Sequence, residues 1–142
     1  MRPTGADANN MNHRNNGPYV GKLFTHSDER GSLGVAEFSG LPFVPKRFFW
    51  LHAVSEGSTR ASHGHRECEQ LVFVQQGTIS GFTLDATNSR MSFELGVAEF
   101  VYVPTRHWLQ LENFSDTAVV GVLASHPFDA DEYIDSPDEL NS

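Results

Sequence analysis

Two histidines two residues apart, followed by a carboxylate and an apolar run, constrain the fold more than any other part of the chain. His63 and His65 stand a few residues before Glu69, and the apolar residues 71–74 come soon after. Side chains two apart on an extended strand point to the same side. Parity therefore predicts that both imidazoles and the carboxylate share one face, as in β-barrels whose mouths bind a ligand or a metal. The alternative is a pair of surface histidines on a hairpin.

Short runs of strand-forming residues, separated by turn residues at regular spacing, make up most of the remaining chain. This pattern is typical of an antiparallel sandwich or barrel. A short C-terminal helix is predicted over residues 129–134, with Asp129 at its N-cap. We expect an all-β domain over residues 19–136, between a disordered leader at 1–18 and an acidic tail at 137–142. The predicted strands cover residues 19–24, 32–38, 46–54, 69–76, 78–85, 91–95, 98–103, 108–112 and 117–124.

Composition narrows the class of protein and of partner. The length of 142 residues suits one domain. No apolar run reaches ~18 residues, so neither a transmembrane helix nor a membrane partner is expected. The net charge of -8 argues against a nucleic-acid partner. The single cysteine, Cys68, excludes an internal disulfide framework and suits the cytoplasm.

The basic residues of this acidic chain are mostly arginines. Four of them stand beside or inside the segments that carry the candidate site, namely Arg47, Arg60, Arg66 and Arg106. A planar guanidinium suits the bidentate capture of phosphate or carboxylate. We therefore expect a local pocket for an anionic ligand in spite of the negative net charge.

The histidine segment resembles the first motif of the cupin superfamily. That motif has a glycine, five residues, His-x-His, three or four residues, and then a glutamate. Gly57, His63, His65 and Glu69 fit this spacing, and the closing glycine, Gly77, comes one residue late. The resemblance implies a single cupin-type antiparallel β-barrel, or jelly roll.

Over residues 23–133 the chain resembles a narrower group, the cupin-fold sugar 3,4-ketoisomerases that act on dTDP-4-keto-6-deoxyglucose. It departs from this group where Leu109 replaces the histidine after the family's tryptophan, and where Phe49 and Trp50 replace tyrosines. The pieces that carry the resemblance are Asp28-Glu-Arg-Gly-Ser-Leu33, Leu41-Pro-Phe43, Lys46-Arg47, Arg60-Ala-Ser-His-Gly-His65, Glu69-Gln70 with Gly77, Val101-Tyr-Val103, Trp108, Asn113-Phe-Ser115, Val122-Leu-Ala-Ser125 and Asp131-Glu-Tyr133.

The resemblance implies an isomerase of deoxysugar biosynthesis that moves a keto group between C4 and C3 of a dTDP-4-keto-6-deoxyhexose. Removing the C3 proton and returning one at C4 needs groups that titrate near neutrality, as histidine does. His63 and His65 would be the acid/base pair acting through an enediolate, with no metal and no cofactor. A homodimer is also implied, in contact through the aromatic strands at 19–24 and 46–54. The residues implied to bind the dTDP-sugar are Arg47, Arg60, Glu69, Gln70 and Trp108.

Two other functions remain open. In a metal-dependent cupin, His63, His65, Glu69 and His107 would form the three-histidine, one-carboxylate shell of an oxygenase or isomerase. The turn that ends at His107 is shorter than the second cupin motif requires, which favours the metal-free function. The third possibility is a non-catalytic cupin that binds a sugar nucleotide.

Overall fold

Several strands alternate more buried and more exposed residues, so each of these presents one face to a neighbouring layer. Every second residue of Ile79–Leu84 is buried, for example. The computed structural model describes residues 17–142, so nearly all of the predicted leader lies outside the described part. The strands are β1 (Tyr19–Lys22), β2 (Phe24–Asp28), β3 (Gly31–Val35), β4 (Arg47–His52), β5 (Arg60–His65), β6 (Gln70–Gln76), β7 (Ile79–Leu84), β8 (Arg90–Leu95), β9 (Glu99–Val103), β10 (Trp108–Glu112), β11 (Val119–Ala124) and β12 (Tyr133–Ile134).

Two five-stranded sheets pack face to face, and a hairpin stands beside them. The first sheet has the order β1-β9-β6-β11-β4, and the second has the order β12-β5-β10-β7-β8. Strands β2 and β3 form the hairpin. The pairings between these named strands are antiparallel. The prediction of an all-β jelly roll is confirmed.

The core lies between the two sheets and is filled by aliphatic side chains from both. Val72 and Val120 of the first sheet belong to the same cluster as Leu111 of the second, and these three are at most 1 % exposed. Full burial of a side chain of this size contributes roughly 1.5–3 kcal/mol. The polar residues of the site lie against this layer of valines and leucines.

A separate apolar cluster fastens the C-terminal segment to the outer face of the second sheet. It contains Trp108, Ile134 and Leu140, and Leu140 is 1 % exposed. Arg106 adds a hydrogen bond from Nη1 to the Leu140 carbonyl at 3.3 Å. The predicted tail at 137–142 therefore packs against the domain, and β12 is held beside β5.

The strands predicted from the sequence omit β5, because the glycine, serines and threonine around it are typical of a loop, although the parity argument for His63 and His65 treats this segment as extended. It pairs with β10 through a bulge between Leu109 and Gln110. Ala61 and Ser62, at this bulge, have φ angles of 68° and 59°. The bulge turns the strand just before the first histidine of the motif.

The predicted C-terminal helix is a single 3-10 turn, Ala130–Glu132, followed directly by β12. Asp129 caps this turn as predicted, since its side chain accepts a hydrogen bond from the Asp131 N–H at 3.0 Å. The helix does not continue because the chain becomes extended at Tyr133, where it pairs with β5. No helix within residues 17–142 is long and apolar enough to cross a membrane.

Replacing Gly77 by alanine should destabilise the fold by roughly 2–5 kcal/mol. This cost has two parts, the penalty for a left-handed backbone at a residue with a Cβ and the overpacking caused by the added methyl group. Gly77 has a φ of +79°, and an added Cβ would lie 2.8 Å from the Ala118 Cα. Gly57 is the matched control, because its φ is +77° and an added Cβ would meet nothing within 4 Å. Gly57→Ala should cost only the backbone part, about 1–2 kcal/mol. Urea unfolding measures both losses, and equal losses would contradict the steric explanation.

Candidate functional site

Strands β5 and β12 bring three rings together. Tyr133 on β12 lies opposite His65 on β5. The ring centroids are 4.9 Å apart for His63 and His65, 4.8 Å for His63 and Tyr133, and 4.5 Å for His65 and Tyr133. The two predicted histidines are therefore neighbours, and both rings contact a tyrosine to which the sequence assigns no role.

A carboxylate fixes the orientation of His65, which is itself 5 % exposed. His65 Nδ1 donates a hydrogen bond to Glu132 Oε1. The other carboxylate oxygen accepts from the backbone N–H groups of Glu67 and Cys68, at 3.2 and 3.3 Å. With its proton on Nδ1, the neutral ring carries its free lone pair on Nε2. Sequence alone does not assign a role to Glu132, although Asp131-Glu-Tyr133 is part of the family resemblance.

Burial sets the protonation states of these groups. It lowers the pKa of His63 to about 4, with a smaller contribution from His65, while Glu132 and Asp135 oppose the shift. Burial also lowers the pKa of His65, against the effect of its hydrogen bond to Glu132. Burial by itself would raise the pKa of Glu132, but the hydrogen bonds from His65 and two backbone amides hold it below its usual value. At neutral pH the site therefore contains two neutral imidazoles and one carboxylate.

Three buried nitrogen atoms of the site have no hydrogen-bond partner within residues 17–142. They are His63 Nδ1, His65 Nε2 and Arg47 Nε. Roughly 90 % of buried polar groups in folded proteins are paired. Polar groups of a bound ligand would satisfy these atoms, so the arrangement is that of a binding site and not of a closed core.

A cavity of about 80 Å³ lies between the sheets beside His63. Gln70 lines the cavity and is 4 % exposed, and Leu109, the strand partner of His63, lines it too. Arg60 lines it from the start of β5 and is exposed. Ligand sites typically measure ~300–1,000 Å³, so only part of a larger ligand fits inside. The other lining residues are apolar, namely Phe49, Leu51, Ala61, Val72, Leu111 and Val122.

Arg47 lies at the edge of the site between two aromatic rings. Its guanidinium carbon is 5.1 Å from the centre of the Phe49 ring and 5.7 Å from that of the Phe128 ring. Its charge contributes, after burial, to the low pKa of His65. No carboxylate of residues 17–142 forms an ion pair with it. Because the cation–π contacts hold the guanidinium in place, its charge is available to an anionic ligand.

The expectation that Glu69 shares a face with the histidines is wrong. Tyr102 donates a hydrogen bond from its hydroxyl to Glu69 Oε1 at 2.5 Å, and Tyr102 packs in the cluster on the outer face of the first sheet. Parity is lost because the chain turns between β5 and β6 and enters the other sheet. Gln70, one residue later, lines the cavity instead.

Trp108 and the His107 ring make their contacts with groups other than the two imidazoles. Trp108 is 8 % exposed and packs against Ile134, on the face of β10 opposite Leu109. The His107 ring donates from Nδ1 to the Thr105 carbonyl at 2.9 Å. The structure therefore does not bring Trp108 to the cavity.

The metal shell considered from the sequence is not assembled within residues 17–142. The two histidines of the motif are close together, but neither Glu69 nor His107 joins them. The group of potential ligands that does lie together in this part of the chain consists of His65, Cys68 and Glu132. The residues present thus do not fit a three-histidine, one-carboxylate metal centre.

Residues 17–142 match the protein family described as FdtA: WxcM-like, C-terminal. The TDP-4-oxo-6-deoxy-alpha-D-glucose-3,4-oxoisomerase of Aneurinibacillus thermoaerophilus is 31 % identical to this chain over 109 residues. The aligned part covers 75 % of this chain and 78 % of that protein.

Two solved structures extend the comparison to the fold. The WlaRB TDP-quinovose 3,4-ketoisomerase of Campylobacter jejuni has a TM-score of 0.79 and 28 % identity, covering 87 % of this chain and 95 % of its own. QdtA, a sugar 3,4-ketoisomerase of Thermoanaerobacterium thermosaccharolyticum in complex with TDP, has a TM-score of 0.81 and 24 % identity, with coverage of 87 % and 91 %. At that identity QdtA supports the fold alone.

The free energy of unfolding should decrease as the pH falls from 6.5, the ordinary pKa of histidine, towards about 4, the lowered pKa of His63. Between these values the unfolded chain binds a proton at His63 that the folded chain does not, so stability rises with pH through this window. Urea unfolding at pH 7 and pH 5 measures the effect. His63→Asn should weaken the pH dependence. An unaltered pH dependence in His63→Asn would show that burial does not hold this ring neutral.

Proposed function

Since the chain belongs to the FdtA family of sugar 3,4-ketoisomerases, we propose that it moves the keto group between C4 and C3 of a dTDP-4-keto-6-deoxyhexose. One observation carries the proposal at the level of chemistry. Among residues 17–142 the buried Nε2 of His65 finds no hydrogen-bond partner, and Glu132 holds its Nδ1. A neutral imidazole backed by a carboxylate can take up a proton, because the carboxylate stabilises the imidazolium that forms.

His65 is the group that we assign to the carbon-bound proton. Its Nε2 removes the proton at C3, which the neighbouring carbonyl has made acidic, and returns it at C4. The enediolate formed between these steps needs no external oxidant, because one carbon is oxidised as the other is reduced. The carbonyl supplies the acidity, so the reaction itself demands no metal or redox cofactor.

His63 is the group that we assign to the oxygen-bound proton. The same isomerisation requires one proton to leave the C3 hydroxyl and one to reach the C4 oxygen. A neutral imidazole has one N–H donor and one acceptor nitrogen, so it can give a proton to one oxygen and accept one from the other. The low pKa of His63, about 4, keeps the ring in this neutral form across the physiological range.

The small volume of the cavity supports binding of the substrate in two regions, with only part of it inside the cavity. The space of about 80 Å³ beside His63 suits the reacting edge of the hexose, with Gln70 as a partner for a hydroxyl group. The diphosphate then lies outside, where the exposed Arg60 and the aromatic-clamped Arg47 supply positive charge. The names of the similar enzymes support thymidine as the nucleoside.

We also propose a homodimer in the cytoplasm. The two strands expected at the contact, β1 and β4, are the opposite edges of the first sheet. Phe48 and Trp50 on β4 are 48 % and 55 % exposed and stack with centroids 5.8 Å apart. Large exposed aromatic side chains grouped on one strand are typical of protein–protein contacts.

Deuterium exchange at C3 of the substrate in deuterated water tests the assignment of the histidines. His65→Asn and His63→Asn should each reduce turnover by ~10²–10⁴, the range of general acid–base groups, because asparagine does not titrate near neutrality. Affinity for dTDP should stay close to that of the wild type, since the arginines remain. His107→Asn is the matched control and should exchange normally.

The outcomes separate the candidate functions. Exchange at the wild-type rate in both site variants would end the acid–base assignment. A wild-type protein that binds dTDP but never exchanges the C3 proton would be a non-catalytic binding cupin. Exchange that is lost when a chelator removes metal, and regained when metal is restored, would indicate a metal-dependent cupin.

A further inference from the structure

The thiol of Cys68 lies against the His65–Glu132 pair and has no part in the proposed mechanism. The side chain is 2 % exposed, and its Sγ donates weakly to the Glu69 carbonyl at 3.4 Å. One ligand atom each from His65, Cys68 and Glu132 lies within 4.8 Å of the others. A nitrogen, a sulfur and an oxygen donor are thus gathered at one buried point of the molecule.

This donor set fits a thiophilic divalent cation. Zinc binds cysteine, histidine and carboxylate ligands at ~2.0–2.3 Å, which puts tetrahedral ligand atoms about 3–4 Å apart. The three donors need to move only slightly to reach that spacing, and His65 is already in contact with Glu132. Hard cations such as Mg²⁺ prefer oxygen ligands, so the sulfur selects zinc, cadmium and similar ions.

Charge balance favours a divalent ion at this depth. A thiolate and a carboxylate carry two negative charges, and the imidazole of His65 is neutral when it binds a metal. A dication therefore gives a cluster with no net charge, which avoids much of the penalty for burying an isolated ion. Binding releases the thiol proton of Cys68 to solvent.

We propose that His65, Cys68 and Glu132 form an inhibitory site for a thiophilic divalent cation such as Zn²⁺. The ion takes the Nδ1 lone pair of His65, because Nδ1 is the nitrogen that faces Glu132. The ring proton then sits on Nε2, and the lone pair that would remove the C3 proton is lost. The metal acts by changing a tautomer, and it takes no part in the chemistry of the substrate.

The inhibitory effect rests on the proposed function, whereas the binding site does not. Cys68 is the single cysteine of the sequence. The charge-transfer absorption of a cadmium–thiolate bond in the ultraviolet therefore reports on this site alone. Titration of the full chain with Cd²⁺ is a measurement of binding that needs no enzyme assay.

We expect one Cd²⁺ per chain, with the thiolate absorption and a raised melting temperature, because the ion binds the folded state. Cys68→Ser should weaken Cd²⁺ binding by at least ~100-fold. Removing a residue that only hydrogen-bonds to a metal ligand lowers metal affinity by ~10–100-fold, and removing a ligand itself should cost more. His107→Asn controls for binding at surface histidines and should bind as the wild type does. If the serine variant is poorly folded, Cys68→Ala replaces it.

Inhibition is measured separately as loss of C3 exchange in the presence of Zn²⁺. The wild type should be inhibited, while Cys68→Ser should keep its metal-free activity and resist the ion. Cd²⁺ binding that is unchanged in the Cys68 variants would overturn the site. Stoichiometric binding at Cys68 without loss of exchange would overturn the tautomer mechanism. If the wild type has no exchange activity at all, the proposed isomerase function fails, and the cadmium titration still decides the site.

Discussion

A contact between an imidazole and a carboxylate, 67 residues apart in the sequence, ties the C-terminal segment to the strand that carries the histidine motif. The Glu132 side chain is 12 % exposed and accepts from His65 and from two backbone amides just after β5. One carboxylate therefore closes the turn after the motif and orients the ring within it. Without this contact, the buried ring of His65 could hold its proton on either nitrogen. Its Nε2 would then not be fixed as the unprotonated nitrogen that can act as a base.

The rest of the fold serves to hold that pair in place. Ala61 and Ser62 adopt left-handed backbone angles, at about 1–2 kcal/mol each, to turn β5 before His63. Pairing of β5 with β10 on one side and β12 on the other offsets this strain. Behind the sheet, the buried Leu140 holds the end of the chain against β5 and β10. Strain of this kind is common at functional sites, where the surrounding structure fixes a conformation that the segment would not adopt alone.

Sequence alone predicts the parts of the site that depend on local spacing. His63 and His65 neighbour each other because strand parity holds within β5, and the alternating strands predict the two-sheet fold. The same parity fails for Glu69, because a turn moves the chain to the other sheet. Glu132 comes from a distant segment, and no local pattern links it to the motif.

The apolar lining of the cavity shapes the electrostatics of the site. Leu109 and Phe49 line the cavity beside His63 with apolar side chains. A more apolar wall also strengthens the remaining polar interactions and raises the penalty for charging a buried ring. Burial is the largest cause of the lowered pKa of both His63 and His65.

The most direct measurement of the central interaction is the tautomer of His65 at neutral pH, read from the ¹⁵N chemical shifts and long-range ¹H–¹⁵N correlations of histidine-labelled protein. Glu132 accepting from Nδ1 predicts a neutral ring with its proton on Nδ1 and an unprotonated Nε2. In Glu132→Ala, which removes the acceptor, that preference should be lost. A wild-type ring that is doubly protonated, or that carries its proton on Nε2, would contradict both the orientation by Glu132 and the assignment of Nε2 as the base.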